Sequence, residues 1–199
     1  MLVVVFLLTQ IHNPMKKVLL LVAFFIPLCL MAQKEPPVPF VDGKVTFVEV
    51  VTVDSSMKAA KLYGLAKQFT TSYWRNAKET IQNDDNINFV VESKGFTTYI
   101  ESGLMGWSTK IWHTIRIECK DGRYRLTVTN FQLQGSPTNY EPNPQPVGAE
   151  YAMSPENYYR ENGQPRPARE RVKNEIELCV KNIKDGLQKT MKSSSSSDW

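Results

Sequence analysis

KIWHTIRIECKDGRYRLTVTNFQ, residues Lys110 to Gln132, places two runs rich in β-branched and aromatic side chains on either side of Asp121-Gly122. That pair favours a two-residue type I′ turn, whose backbone twist suits the strands it joins. The turn sets the register. Counting outward puts Cys119 opposite Tyr124, Ile117 opposite Leu126 and Ile115 opposite Val128 on one face. On the other face Glu118 meets Arg125 and Trp112 meets Phe131. The first face is apolar and the second mostly polar, so side-chain pattern and turn chemistry agree on a hairpin with one buried face.

Upstream, Lys44 to Val53 (KVTFVEVVTV) reads as a strand, with Glu49 interrupting its odd-numbered apolar set. Asp54, Ser55 and Ser56 offer N-caps for a helix whose Ala59, Leu62, Ala66, Phe69 and Tyr73 recur at the period of one buried helical face. Glu79 to Gln82 and Ile87 to Val91 flank the polar turn Asn83 to Asn86, a second hairpin. Downstream, residues 135–167 hold seven of the 12 prolines and read as an irregular crossing segment. Val172, Ile176, Cys179, Ile183 and Leu187 then mark a C-terminal helix over 168–192, in which Gly186 costs about 1 kcal/mol relative to Ala. Residues 33–43 read as a lead-in, exposed over Lys34 to Pro39, 44–134 as the core, and 193–199 as a disordered tail. The expected fold is α+β, in the order β-α-β-β-β-β-α, with two helices covering one face of an antiparallel sheet.

Particular stretches carry a resemblance. GKVTFVEVV, the helix end at Tyr73-Trp74, IQNDD, the Ser93 to Gly95 SKG and above all IECKDGRYRLTVTNF (Ile117 to Phe131) resemble an uncharacterised family of exported Bacteroidota proteins. The family is described as a domain of unknown function with a TATA-binding-protein-like (TBP-like) fold. The resemblance covers about Lys44 to Phe131 and implies fold and location. It transfers no catalytic residue.

The first 32 residues carry no acidic side chain. Lys16 and Lys17 precede the apolar run Val18 to Met31, and Ala32 supplies the small residue that signal peptidase requires. The run falls short of the roughly 20 residues of a spanning helix. A leader over 1–32 is therefore expected, cleaved to give Gln33, with the protein in the periplasm or cell envelope. Residues 1–14 lack a basic side chain ahead of Met15-Lys16-Lys17 and read as a mis-chosen start. Leu28 stands where a lipobox requires a small residue before Cys29, which argues against lipidation.

The whole chain carries +4 from 24 basic and 20 acidic residues. Loss of Lys16 and Lys17 makes the mature chain nearly neutral, too weakly charged to point to a nucleic-acid partner. Residues 160–192 hold the basic surplus, which either meets anionic lipid at the membrane periphery or is simply solvated.

His113 is the one histidine beyond the leader, so a histidine-rich metal site within one chain is excluded. Cys119 lies six residues along the same strand, about 20 Å away, too far for a dyad with His113. Pairing of His113 with Cys179 stays open, beside the plainer reading of a structural strand histidine. Asp84, Asn86 and Asn88 match the start of a calcium loop, but Phe89 and Gly95 stand where Gly and Glu are needed. No cofactor, metal or catalytic constellation is expected. Cys119 and Cys179 are either a disulfide stapling the last helix to the sheet or two separate buried thiols.

The candidate partner surface is Leu104, Met105 and Trp107 in the Gly103 to Ser108 loop, with Trp112 and Phe131 on the sheet face opposite the core. The leading expectation is a non-catalytic domain binding an envelope protein or a small apolar ligand. A carboxylate-dependent hydrolase and a protein self-associating through its terminal helix are the alternatives.

Overall fold

The computed structural model describes residues 34–74, 80–100 and 108–193. The main sheet runs in the order β3-β7-β6-β5-β4, with every neighbour antiparallel. Its strands are β3 (Phe47–Thr52), β4 (Ile81–Asp85), β5 (Val90–Ile100), β6 (Ser108–Lys120) and β7 (Arg123–Gly135). A two-residue strand β8 (Val147–Gly148) pairs with β7. Two long helices, α1 (Ala59–Tyr73) and α4 (Pro167–Ser193), bury one face of this sheet. The fold is thus the expected α+β arrangement of an antiparallel sheet with helices on one side.

Leu62, Ala66 and Phe69 of α1 join Ile176, Ile183 and Leu187 of α4 over Ile115, Ile117, Leu126 and Val128 in a single core. Gly186 stands where the helices touch, and a Cβ there would lie 3.1 Å from the Phe69 ring. The close approach of Phe69 explains why α4 tolerates a poor helix former at that position. Glu49 does face the helices, and Lys184 of α4 reaches its carboxylate at 2.8 Å on the rim.

The Asp121-Gly122 turn also anchors the helix layer. The Ala59 N–H donates to Asp121 Oδ1 at 2.8 Å, which satisfies one of the orphan donors at the start of α1. The expected caps are not used: Asp54 accepts from the Ser56 N–H in a local turn instead. Gly122, at φ 70°, donates to the Met57 carbonyl and accepts from the Val53 N–H, and a Cβ on it would lie 3.2 Å from Ser55 Cα.

The register expected from that turn holds as far as Thr114 opposite Thr129, then slips. Asn130 and Phe131 together oppose His113, and Trp112 pairs with Gln132 rather than Phe131. Asn130 takes a left-handed conformation at φ 55°, which Asn tolerates better than most residues and which a bulge of this kind needs at its first position. One inserted residue exchanges the two faces of a strand. Phe131 therefore turns inward, fully buried against Phe47 and His113, and is not part of an exposed surface.

Other boundaries move as well. Lys44 to Val53 is not one strand: β2 (Lys44–Val45) pairs with β1 (Phe40–Val41) through the Asp42-Gly43 turn, and the chain changes partner at Thr46. The lead-in is therefore partly structural, with Val38 buried. The second hairpin turns at residues 86–89 rather than 83–86, because Asp85 gathers the Ile87 and Asn88 amides into a loop. Within 135–167, α2 (Ala149–Met153) and α3 (Pro155–Tyr158) bury Ala149, Ala152, Met153 and Tyr158. The leader, the loop residues Leu104, Met105 and Trp107, and the tail from residue 194 lie outside the described residues.

Candidate functional site

Two groups of side chains hold chemistry, one inside the core and one on the uncovered sheet face. The interior group is built around Trp74, the residue that ends α1. Its Nε1 donates to Ser93 Oγ at 3.0 Å, and its ring lies on Gly95, where a Cβ would sit 2.5 Å from the indole. Ser93 and Gly95 are thus the seat of Trp74, and only glycine leaves room for the ring.

The seated indole packs against the fully buried His113 at a ring separation of 5.3 Å, with Phe131 on another side at 5.9 Å. His113 Nδ1 lies 3.1 Å from the Ile111 carbonyl. A carbonyl only accepts, so Nδ1 carries the proton. Cys179 Sγ lies beside the ring, 3.8 Å from Nδ1 and 3.7 Å from Nε2. Thr97 Oγ1 donates to the same sulfur at 3.7 Å, and the Tyr73 hydroxyl is a further partner.

The sequence leaves a His113–Cys179 pairing open, and the fold makes that contact. Its ionisation argues for a structural role. Burial lowers the His113 imidazole from 6.5 to about 4, against a smaller opposing effect of the Ile111 carbonyl. Burial also raises the Cys179 thiol. Both groups are neutral near pH 7, whereas an activated cysteine needs a thiolate in an electropositive, accessible setting.

No disulfide joins Cys119 to Cys179; each is a buried free thiol. Geometry explains the separation. Cys179 touches His113, while Cys119 lies six residues along β6, about 20 Å away. A disulfide requires Cα atoms within about 7 Å. Cys119 instead sits in the core near Tyr63 and Tyr124, its thiol pushed up to about 12 by burial.

The opposite sheet face is not covered by the long helices. Trp112 remains there, half-buried, its ring tilted against Phe96 at a centroid separation of 4.7 Å and its Nε1 donating to Gln134 at 2.9 Å. Lys110 Nζ lies 4.7 Å from the centre of the Phe96 ring. Beside them Arg116 bridges Glu92 at 3.1 Å and Glu118 at 3.4 Å, and Arg125 reaches Glu118 at 2.6 Å. A groove of about 550 Å³ opens at the bulge, lined among others by Lys44, Gln82, Lys94, Thr114, Asn130 and Gln132. Its walls are mainly amide, hydroxyl and charged groups.

This face bears on each alternative. Glu92 and Glu118 are brought together on Arg116, which bridges the two carboxylates. The heptad-like stripe of α4 is consumed in the core and is not free for self-association. Three cations of that helix are tied to carboxylates, in Lys173–Glu177, Lys181–Asp185 and Lys184–Glu49. Phe96 and Lys94 escaped the sequence reading because β5 was expected to stop at Val91. The alternation of Ser93, Gly95 and Thr97 inward with Lys94 and Phe96 outward was the available signal.

Among solved structures, a DUF4468 family protein from Bacteroides ovatus superposes with a TM-score of 0.59 at 16% identity, covering 75% of this chain and 90% of that one. A TBP-like protein from Parabacteroides distasonis gives 0.54 at 15% identity, covering 75% and 96%. No curated protein matches. At such identities the likeness concerns the fold alone. The family model described as a domain of unknown function (DUF4468) with TBP-like fold matches residues 47–134, from the start of β3 almost to the end of β7. The segment that builds the sheet and α1 is therefore similar to DUF4468 domains, and its fold is TBP-like.

Proposed function

We propose that the protein is an exported, non-catalytic binding domain of the cell envelope, which receives a protein partner on its open sheet face. The observation that carries this reading is the asymmetry of the sheet. One face is sealed by α1 and α4, while the other presents the Phe96–Trp112 pair, with Phe96 40% exposed, beside arginine and lysine side chains. Exposed aromatics beside arginine are the composition of interaction surfaces. The polar walls of the groove suit a partner with charged and hydrogen-bonding groups better than a small apolar molecule. Export rests on Lys16-Lys17, the apolar run after them and Ala32.

The test is site-specific photo-crosslinking in the native envelope, with the probe at Phe96 and, as control, at the exposed Leu178 of α4. A discrete adduct from position 96 and none from 178 is expected, on a chain beginning at Gln33. Equal labelling from both positions, or none from 96, refutes the reading.

A further inference from the structure

The open face ends at a free strand edge. Among the described residues, β3 is the terminal strand of the main sheet and pairs only with β7. The Val53 N–H donates to the Gly122 carbonyl, towards the β7 side, whereas the Thr46 N–H points the other way and is taken by Pro39. Backbone groups alternate sides along an antiparallel strand. The N–H and C=O groups of Val48, Val50 and Thr52 therefore point outward, continuing the edge that Pro39 closes at Thr46. Among the described residues, no hydrogen bond is found for them.

This edge lacks the devices that usually blunt one. It contains neither proline nor lysine, and its single charge, Glu49, is held by Lys184 on the helix side. Val48 and Val50 are 53% and 60% exposed on the open face. Beside them a depression of about 290 Å³ is lined by Val50, Glu118, Lys120, Arg123, Tyr124 and Arg125. Glu118 is already engaged by Arg116 and Arg125, while Lys120 and Arg123 stand directly opposite each other in the β6–β7 register with no carboxylate partner among the described residues.

We infer that β3 receives an extended segment of a partner protein as an added strand, with apolar side chains against Val48 and Val50 and a carboxylate entering the depression beside Lys120 and Arg123. The inference rests on the binding reading above and gives its partner a chemistry. Strand addition draws affinity from main-chain hydrogen bonds and selectivity from pockets for alternate side chains. A second copy of this chain is the poorer occupant. An antiparallel pair centred on Glu49 would oppose two glutamates, and one centred on Val50 would add its own cations to this edge.

The test uses the chain from Gln33 and two capped peptides, Thr-Glu-Thr-Val-Thr-Val-Thr and its lysine counterpart Thr-Lys-Thr-Val-Thr-Val-Thr, whose charged residue and valines share one face of an added strand, at low ionic strength. The glutamate peptide is expected to bind at least tenfold more tightly, shifting the amide resonances of Val48, Val50 and Thr52. Val50→Pro removes one outward N–H and leaves the β7 ladder intact, and is expected to weaken binding at least tenfold. If that variant does not fold, N-methylation of alternate amides in the peptide removes the same bonds and leaves the protein untouched.

Equal affinity for both peptides, undiminished binding to folded Val50→Pro or to the N-methylated peptides, or no binding at millimolar peptide overturns the inference. So does a concentration-dependent dimer that Val50→Pro abolishes, since the edge would then belong to a second copy. A specific Phe96 adduct together with no peptide binding would remove the strand-addition inference and leave the open-face reading standing.

Discussion

Acidification reports directly on the buried imidazole. His113 is enclosed by Trp74, Phe131 and Cys179, and its proton affinity falls from 6.5 to about 4. A histidine whose folded value lies below its unfolded value binds its proton more readily in the unfolded chain. Its neutral form therefore favours folding fully above pH 6.5, and that contribution is lost as pH falls from about 6.5 to about 4. The complete displacement corresponds to about 3 kcal/mol. Between pH 7.5 and 5.0 the expected loss is about 2 kcal/mol, because at pH 5.0 most unfolded molecules carry the extra proton while the folded imidazole stays neutral. Asp54, Asp84, Asp85 and Asp121 are all lowered by hydrogen bonds and contribute mainly below this window. The assay is urea unfolding of the chain from Gln33 at the two pH values and constant ionic strength, with His113→Gln as the non-titrating reference. The parent should lose about 2 kcal/mol more than the variant. Equal losses in the two proteins, or an imidazole resonance titrating near its ordinary value in the folded state, would refute the burial argument.

Other outcomes follow from the same contacts. Gly95→Ala drives a methyl into the Trp74 ring and should cost about 1–3 kcal/mol by overpacking, with a red shift of tryptophan emission that records displacement of the indole. Phe131→Ala should cost about 3–5 kcal/mol, while Phe96→Ala on the open face should cost at most about 1 kcal/mol; a reversed order in urea unfolding would contradict the bulged register. Asp121→Ala should lower thermal stability more than Asp121→Asn, which keeps an oxygen for the Ala59 N–H, and calorimetry distinguishes them. Both Cys119 and Cys179 should resist a thiol reagent in the folded chain and react together on unfolding; rapid labelling of either native thiol would contradict its burial.

The legible part of the fold was the part fixed by local rules. Asp121-Gly122 fixes a turn by backbone preference, and a period-two pattern around it assigns the faces of the nearby strands. The spacing of Ala59, Leu62, Ala66 and Phe69 assigns one face of α1 in the same way. The misplaced elements depend on contacts distant in sequence. The cap of α1 comes from Asp121, 62 residues away, so the serines before the helix gave a plausible but unused signal. The break at Thr46 reflects a hydroxyl pair with Thr129 and a backbone bond to Pro39, neither visible in a run of β-branched residues.

The bulge connects these lessons to the candidate site. An unbroken register would have put Phe131 beside Trp112 on the open face and left His113 without that aromatic neighbour. Asn130 is an ordinary strand residue by pattern, and its tolerance of positive φ distinguishes it only once the strand is known to bend there. By turning Phe131 inward, the extra residue completes the packing around His113 and gives the open face Asn130 and Gln132 in place of a phenyl ring. The exposed face is consequently more polar than the sequence implied. Within the cluster, Trp74, Ser93 and Gly95 are one steric unit, and Asp121 and Gly122 are one capping unit. The residues that carry the family resemblance are therefore largely accounted for by architecture. What architecture leaves unexplained lies elsewhere: the exposed valines of β3, the opposed Lys120 and Arg123, and the open aromatic pair, which all share the face that the long helices do not cover.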